Sequence, residues 1–436
     1  MRFDLEWVAG RDESLIPVDL RTRCHLALRI KGHELFRHED LLGEHQVKDA
    51  ITVSAYPLAV WFAANWWRLR WEPSTSSSEP AVLQDWQMSH CLAAAGEGYA
   101  WPNLVFASDG ENVQLHLTPT QESVGPLRYI ERLDTWLPAQ EYETGVSRFI
   151  ESTLQQLGDN STTDLHALWK TVLEERATPA LALQRRIEAM LGYDPEEAPE
   201  KLMTLLTGLT TTHGESAIQE LACLGGEKAG ATITNAQQCL AHSDEHIKLP
   251  LKSVRKVTEL VVGATPGYPW EKGSEAASLA RKDLGIDKGP LNTRKLADLL
   301  ETREKLFESN QNIQRLPIGL GEVTNSGTAK IVLGKARKDS RRFMTARLIA
   351  DGIYAGETGN WLPCTDAATV RQKFQRSFAQ EFLCPYHDLI DWMDTTAPDE
   401  ETMEAAAEHF EVSPLLVNTV MVNHGHKHRS ELEAFK

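Results

Sequence analysis

Tryptophan is concentrated at one end of this chain, and that asymmetry limits the fold more than any other feature. Trp7, Trp61, Trp66, Trp67, Trp71, Trp86, Trp101 and Trp136, most of the twelve, fall within the first 138 of 436 residues. Rings of this size bury large apolar areas, so the first third reads as a compositional block of its own. Residues 26–30 read as a strand, and the alternation at Val113, Leu115 and Leu117, after the turn signal Ser108-Asp109-Gly110, reads as another. Between them Ser54 can cap a helix with Pro57 in its first turn, and Leu58, Trp61, Phe62, Asn65, Trp66 and Leu69 share one face. The rings could stack nucleic-acid bases if they were exposed beside a basic groove. Trp61 and Trp66 lie on the apolar stripe, however, and Trp67 and Trp71 are four apart, so packing is the preferred reading. Residues 1–138 are expected to form a mixed α/β domain.

The length exceeds one ordinary core, and a chain 42% apolar and 25% charged reads as several soluble globular domains. The formal net charge of −17 argues against a generally basic nucleic-acid-coating protein, because phosphate binding needs Lys and Arg to release counterions. Asp4 and Glu6 stand where a signal peptide needs basic residues, and no apolar run reaches the ~18 residues of a membrane span. The expected location is the cytoplasm. Six cysteines without a CxxC pair suit a reducing compartment and offer no thiolate metal site.

From Tyr142 to about Val262 the apolar spacing is helical, as in Phe149, Leu154, Leu157 and then Leu165, Leu168, Trp169, Val172 and Leu173. Residues 139–263 are therefore expected to form a helical middle region, broken at Gly225-Gly226, at Gly230 and over 241–248. The Pro/Gly/Trp segment 264–270 marks a boundary. Beyond it, 264–436 opens with helices through Ala276, Leu279, Ala280, Leu284, Leu296, Leu299 and Leu300. It then passes through strands near 318–323 and 329–333 and returns to helices. The fold class expected for the whole is α+β.

Several histidine groups invite a metal reading. A peptidase helix carries HExxH because residues four apart share a face, so that two imidazoles grip zinc while the glutamate activates water. His33 and His38 are five apart, which on a helix turns them about 140° away from each other, and they are set aside. His242, Glu245 and His246 do match the inverted motif HxxEH. Only about a turn of helix fits before Pro250, and no third ligand can be named, so a polar loop or helix end is preferred. His424, His426 and His428 alternate in a tract read as an exposed tail. His387, Asp388 and Asp391 could make a displaced metal site. The basic run Lys335, Arg337, Lys338, Arg341 and Arg342 is a candidate anion or nucleic-acid contact, with a solvated loop as the plainer reading.

Residues 341–351 (RRFMTARLIAD), then 378–385 (FAQEFLCP), then Phe410-Glu411-Val412-Ser413 follow in an order and spacing that resemble the ImmA/IrrE family of zinc metallopeptidases. In that family the first piece looks like an RRF-xxA-HExxH helix, the second like a helix ending in FAAxLLxP, and the third like the start of a later helix pair. The match covers roughly 268–424 and implies a zincin-like, mostly helical domain with a small sheet. Carried over by residue, the resemblance places the first zinc histidine on Arg347, the catalytic glutamate on Leu348 and the second histidine on Asp351. The carboxylate of the following helix falls on or near Gln372. Arg347 stays protonated, Leu348 takes no proton from water and Gln372 is a poor neutral ligand, so only Asp351 retains ligating capacity. Arg347 and Asp351, four apart, can form an ion pair in place of the metal or, equally, an ordinary exposed i,i+4 pair.

The resemblance implies a pseudo-metallopeptidase without a cofactor: a protein-binding regulator in a transcriptional, stress or phage-defence setting, whose partner is a helix-turn-helix regulator or a defence-system component. Two other readings stand beside it. One is an active zinc peptidase at His242, Glu245 and His246, and the other is a nucleic-acid-binding protein.

Overall fold

The computed structural model describes residues 1–8, 17–42, 46–75, 79–120, 125–158, 163–226, 228–250, 267–286, 288–310, 315–324, 327–355, 360–428 and 432. Contacts along the chain divide it into two units, Met1–Met203 and Thr204–Lys436. The pairings between the strands named below are antiparallel, and the helices come in separate runs, which makes the fold α+β as expected.

In the first unit, strand Arg23–Ile30 lies between Arg2–Trp7 on one side and both His33–Glu34 and Ile51–Ser54 on the other. A second sheet runs in the order Leu133–Pro138, Asn112–Thr118, Asn103–Ser108, and a small third one places His38–Asp40 between Val47–Lys48 and Leu127–Tyr129. Helix Ala55–Ala64 starts where expected: the Ser54 hydroxyl accepts from the Tyr56 amide at 3.3 Å, and Pro57 sits in the first turn. The helix stops at Asn65, and Trp66–Trp71 continues as a separate short helix. Trp61, Trp66, Trp67, Trp86 and Trp101 are all buried, and Trp66 meets Trp169 edge-on at 5.2 Å. These rings pack, leaving no stacking platform among them for bases.

The helical middle region does not stand as a third body. Helix Ala139–Leu157 buries Tyr142, Val146, Phe149 and Ile150 in one core with Phe62 and Phe106, and helix Asp164–Ala177 adds Leu165, Trp169 and Val172 to it. Helices Glu215–Ala222 and Lys228–Ala241 belong to the second unit. Helical spacing shows that a stripe must be covered but not by what, so one periodic stretch is shared between two units. The expected boundary at 263/264, with 264–266 of the Pro/Gly/Trp segment, lies outside the described residues.

In the second unit, four strands run in the order His246–Lys248, Thr328–Val332, Gly319–Val323, Trp361–Cys364. The two expected strands near 318–323 and 329–333 are thus found within one residue. Helices Lys338–Ala355 and Val370–Leu383 pack together, and Pro269–Asp283 lies along the latter. The last helix pair, Glu400–Phe410 and Pro414–Asn423, turns on Glu411, whose φ of 51° is left-handed, and on Ser413, which accepts from the Leu416 amide at 3.2 Å. No helix among the described residues is long and apolar enough to cross a membrane.

Candidate functional site

Helix Lys338–Ala355 carries the positions where the resemblance places the peptidase chemistry. It is buried on nearly all sides, with Ala346, Leu348, Ile349 and Ala350 fully inaccessible. Arg347 and Asp351 project from one face of it, and helix Val370–Leu383, capped by the Thr369 hydroxyl on the Gln372 amide at 3.2 Å, brings Gln372 opposite. Two of these positions meet: Arg347 Nη2 donates to Gln372 Oε1 at 2.6 Å and to the Thr365 carbonyl.

The expected ion pair between Arg347 and Asp351 is not made. Asp351 instead accepts Arg371 Nε at 2.6 Å and Nη2 at 2.7 Å, with Gln375 Nε2 adding a third bond at 2.6 Å. The reason is geometric: Arg371 approaches from the neighbouring helix and presents one guanidinium edge, Nε and Nη2, to both carboxylate oxygens, the strongest form of such a contact. Nor is this an exposed surface pair, since the side chains of Arg371 and Asp351 are 3% and 0% accessible.

A second carboxylate arrives from far away in the chain. Glu220, on helix Glu215–Ala222, accepts from Thr369 Oγ1 at 2.7 Å and from Gln372 Nε2 at 2.9 Å. Burial pushes its pKa above the usual carboxylate range. Ser216 on the same helix takes a bond from Arg371 Nη1 at 3.0 Å, and the Pro363 carbonyl of the edge strand accepts from both Gln372 and Gln375. The result is a sealed hydrogen-bond network in which the carboxylate oxygens Asp351 Oδ1, Asp351 Oδ2 and Glu220 Oε2 are already engaged. Sequence reasoning missed Arg371, Gln375, Ser216, Thr369 and Glu220. The spacing of Arg371 and Gln375 on the Gln372 helix was a usable signal for the first two, but nothing local points to Glu220.

These residues do not fit zinc. Where the resemblance would put two zinc ligands and the general base stand a cationic guanidinium, an amide and an aliphatic side chain. Among the described residues, no group of three or more His, Cys, Asp or Glu side chains is placed to hold a metal ion.

The rival sites come apart in the same way. His242 follows the end of helix Lys228–Ala241 and His246 opens strand His246–Lys248, so the HxxEH spacing has no helix to act on. Each imidazole instead faces a nearby backbone carbonyl, His242 that of Gln238 at 2.8 Å and His246 that of Asp244 at 3.0 Å, and Glu245 pairs with Arg341 at 2.8 Å. His33 and His38 sit in two different strands. Asp388 accepts from the Gly289 amide at 2.7 Å, and Asp391 faces Lys288 at 3.9 Å, so these two acids point to different partners. The histidine tail is partly docked rather than free: His424 stacks on Tyr386 at 3.6 Å, and His426 shares a hydrogen bond with its hydroxyl at 2.8 Å.

The basic run is largely consumed by the fold. Buried Arg342 donates to the carbonyls of Leu291, Phe410 and Glu411, pinning the turn of the last helix pair. Burial lowers its pKa to about 10. Arg341 donates to the Leu306 and Lys335 carbonyls, Lys338 pairs with Glu411 at 2.8 Å, and Arg337 pairs with Asp339 at 2.8 Å. A patch whose cations are already matched gains little by releasing counterions from nucleic acid. The last helix, Pro414–Asn423, carries no Lys or Arg and buries Leu416, Val417, Asn418, Val420 and Met421, which unsuits it for reading a groove. Compared with known proteins, the chain matches no family model, no curated protein and no solved structure.

Proposed function

We propose that the second unit is a non-catalytic relative of the ImmA/IrrE peptidases, which binds a protein partner and leaves it intact. The observation that carries this reading is the buried contact of Arg347 with Gln372 across two helices, with Leu348 and Asp351 buried beside Arg347 on the first. Three of these positions lie on one helix and the fourth, Gln372, reaches Arg347 from the next, and of the four only Asp351 keeps a group able to ligate a metal. Hydrolysis needs a metal-bound or base-activated water, and the only carboxylate of the set is held on both oxygens by Arg371. The partner class that fits the resemblance is a helix-turn-helix regulator or a defence-system component, in a transcriptional, stress or phage-defence setting.

Elemental analysis of protein purified without a histidine tag or chelator tests the reading. The expected result is zinc far below one per chain and no cleavage of added peptides. Rebuilding the site with Arg347→His, Leu348→Glu, Asp351→His and Gln372→Glu should create zinc uptake in the folded protein. Stoichiometric zinc in the wild type would overturn the proposal.

A further inference from the structure

Two guanidiniums of the second unit lean on one loop, whose only carboxylate, that of Asp366, is exposed and makes no hydrogen bond to Arg347. Arg347, 3% accessible, donates Nη2 only to neutral acceptors, the Thr365 carbonyl and Gln372 Oε1, while its Nε is buried with no acceptor. Its nearest carboxylate among the described residues is Asp366, 3.8 Å from Nη1 and beyond hydrogen-bond reach, on a side chain that is 73% accessible. Arg376 leans on the same loop, donating Nη2 to the Ala367 carbonyl at 3.0 Å. Its pKa is lowered to about 10, first by burial and then by the charge of Arg347, which together outweigh the opposing pull of Asp366 and Glu220. Arg371, only five residues before Arg376, is by contrast matched edge to edge by Asp351. Burying the Arg347 cation with only an exposed counter-ion 3.8 Å away is unfavourable, and the half-buried Arg376 beside it adds repulsion. Packing alone gives no reason to keep both.

We propose that Arg347 and Arg376 form a binding site for a single oxyanion, a carboxylate or a phosphate, which enters over the 365–367 loop and takes the place of Asp366 as counter-ion. Guanidiniums suit such a ligand because their planar N–H edges match two oxygens at once. The fourteen-residue helix Val370–Leu383 begins just beyond the loop, and its positive end adds to the attraction. The site stands on these side chains whether or not the unit descends from a peptidase.

Thermal unfolding of the full chain at constant ionic strength tests it, with inorganic phosphate and acetate each replacing chloride. One or both should raise the wild-type midpoint by about 2–4 °C at concentrations well above Kd. Which anion acts identifies the source, and either result supports the site. In Arg376→Gln, which loses one backbone contact and whose folding is checked by circular dichroism, the shift should vanish. Asp366→Asn removes the competing carboxylate and should tighten anion binding, measured by calorimetry, about three- to fivefold. A merely structural role for these groups would not produce that gain. The proposal is overturned if neither anion shifts the midpoint, or if the shift is the same in wild type and Arg376→Gln.

Discussion

Glu72 and His90 sit 3.7 Å apart in the first unit, and burial acts on them in opposite directions. Glu72 accepts from Arg68 Nε at 2.7 Å, yet burial outweighs that contact and pushes its pKa up to about 7. His90, stacked on Trp86 at 4.2 Å, is pushed down to about 3 by burial. A carboxyl raised in the folded state contributes stability that is full below its ordinary value of 4.5 and lost as pH rises through about 7. An imidazole depressed in the folded state contributes stability that is full above 6.5 and lost as pH falls toward 3. Above 6.5 only Glu72 of the two still titrates. The unfolding midpoint should therefore fall between about pH 6.5 and 8 in the wild type and fall less in Glu72→Gln. Equal slopes would mean that Arg68 keeps the carboxylate ionised throughout. At this scale the sequence was partly legible. That Arg347, Leu348 and Gln372 offer neither a good zinc ligand nor a base could be read from side-chain type alone. The partner of Asp351 could not: the cation nearest in sequence loses to Arg371, twenty residues on, because only the latter arrives at the right angle.

Between elements, the closest approach is made by glycine and alanine. Helix Pro269–Asp283 presents Gly273, Ala276, Ala277 and Ala280 as buried positions, and it packs against Val370–Leu383. A Cβ built on Gly273 would lie 2.5 Å from the Phe374 carbonyl oxygen and 3.0 Å from Ser377 Cβ. That contact is with backbone, so a helix must shift to relieve it. Gly273→Ala should destabilise the second unit by about 1–3 kcal/mol although alanine is the better helix former. The check is urea unfolding, in which the midpoint falls while the slope stays unchanged. A neutral or stabilising result would mean the two helices are further apart than described. The helix itself was legible from Ala276, Leu279, Ala280 and Leu284. The use of Gly273 was not, since a glycine in a helical run reads as a weakness until the neighbour is known. His242 to His246 teaches the converse, because a four-residue spacing carries meaning only on a helix, and here the chain leaves one helix and enters a strand.

At the scale of the whole chain, the helices of the middle third are divided between the two units. The apolar stripe of Ala139–Leu157 is covered by Phe3, Phe62 and Phe106, with Phe3 stacked on Phe149 at 4.4 Å. Glu220 and Ser216, in contrast, are committed to Thr369, Gln372 and Arg371. Each half of the stretch is thus buried by residues distant in sequence, so a fragment 139–263 would expose both faces at once. Two fragments that respect the units should behave differently. A cut before helix Glu200–His213 leaves each core whole, since the division at Met203 falls inside that helix and the segment before it is non-helical. Separately expressed 1–199 and 200–436 should each melt cooperatively by circular dichroism, whereas 139–263 should show helix without a cooperative transition, since isolated helices draw most of their stability from the face they bury. A sharp melt of 139–263 on its own would restore the three-part organisation that the helical spacing suggests. It would also mean that Glu220 belongs to a body able to leave the buried network around Asp351, which would make the seal over that site a removable one.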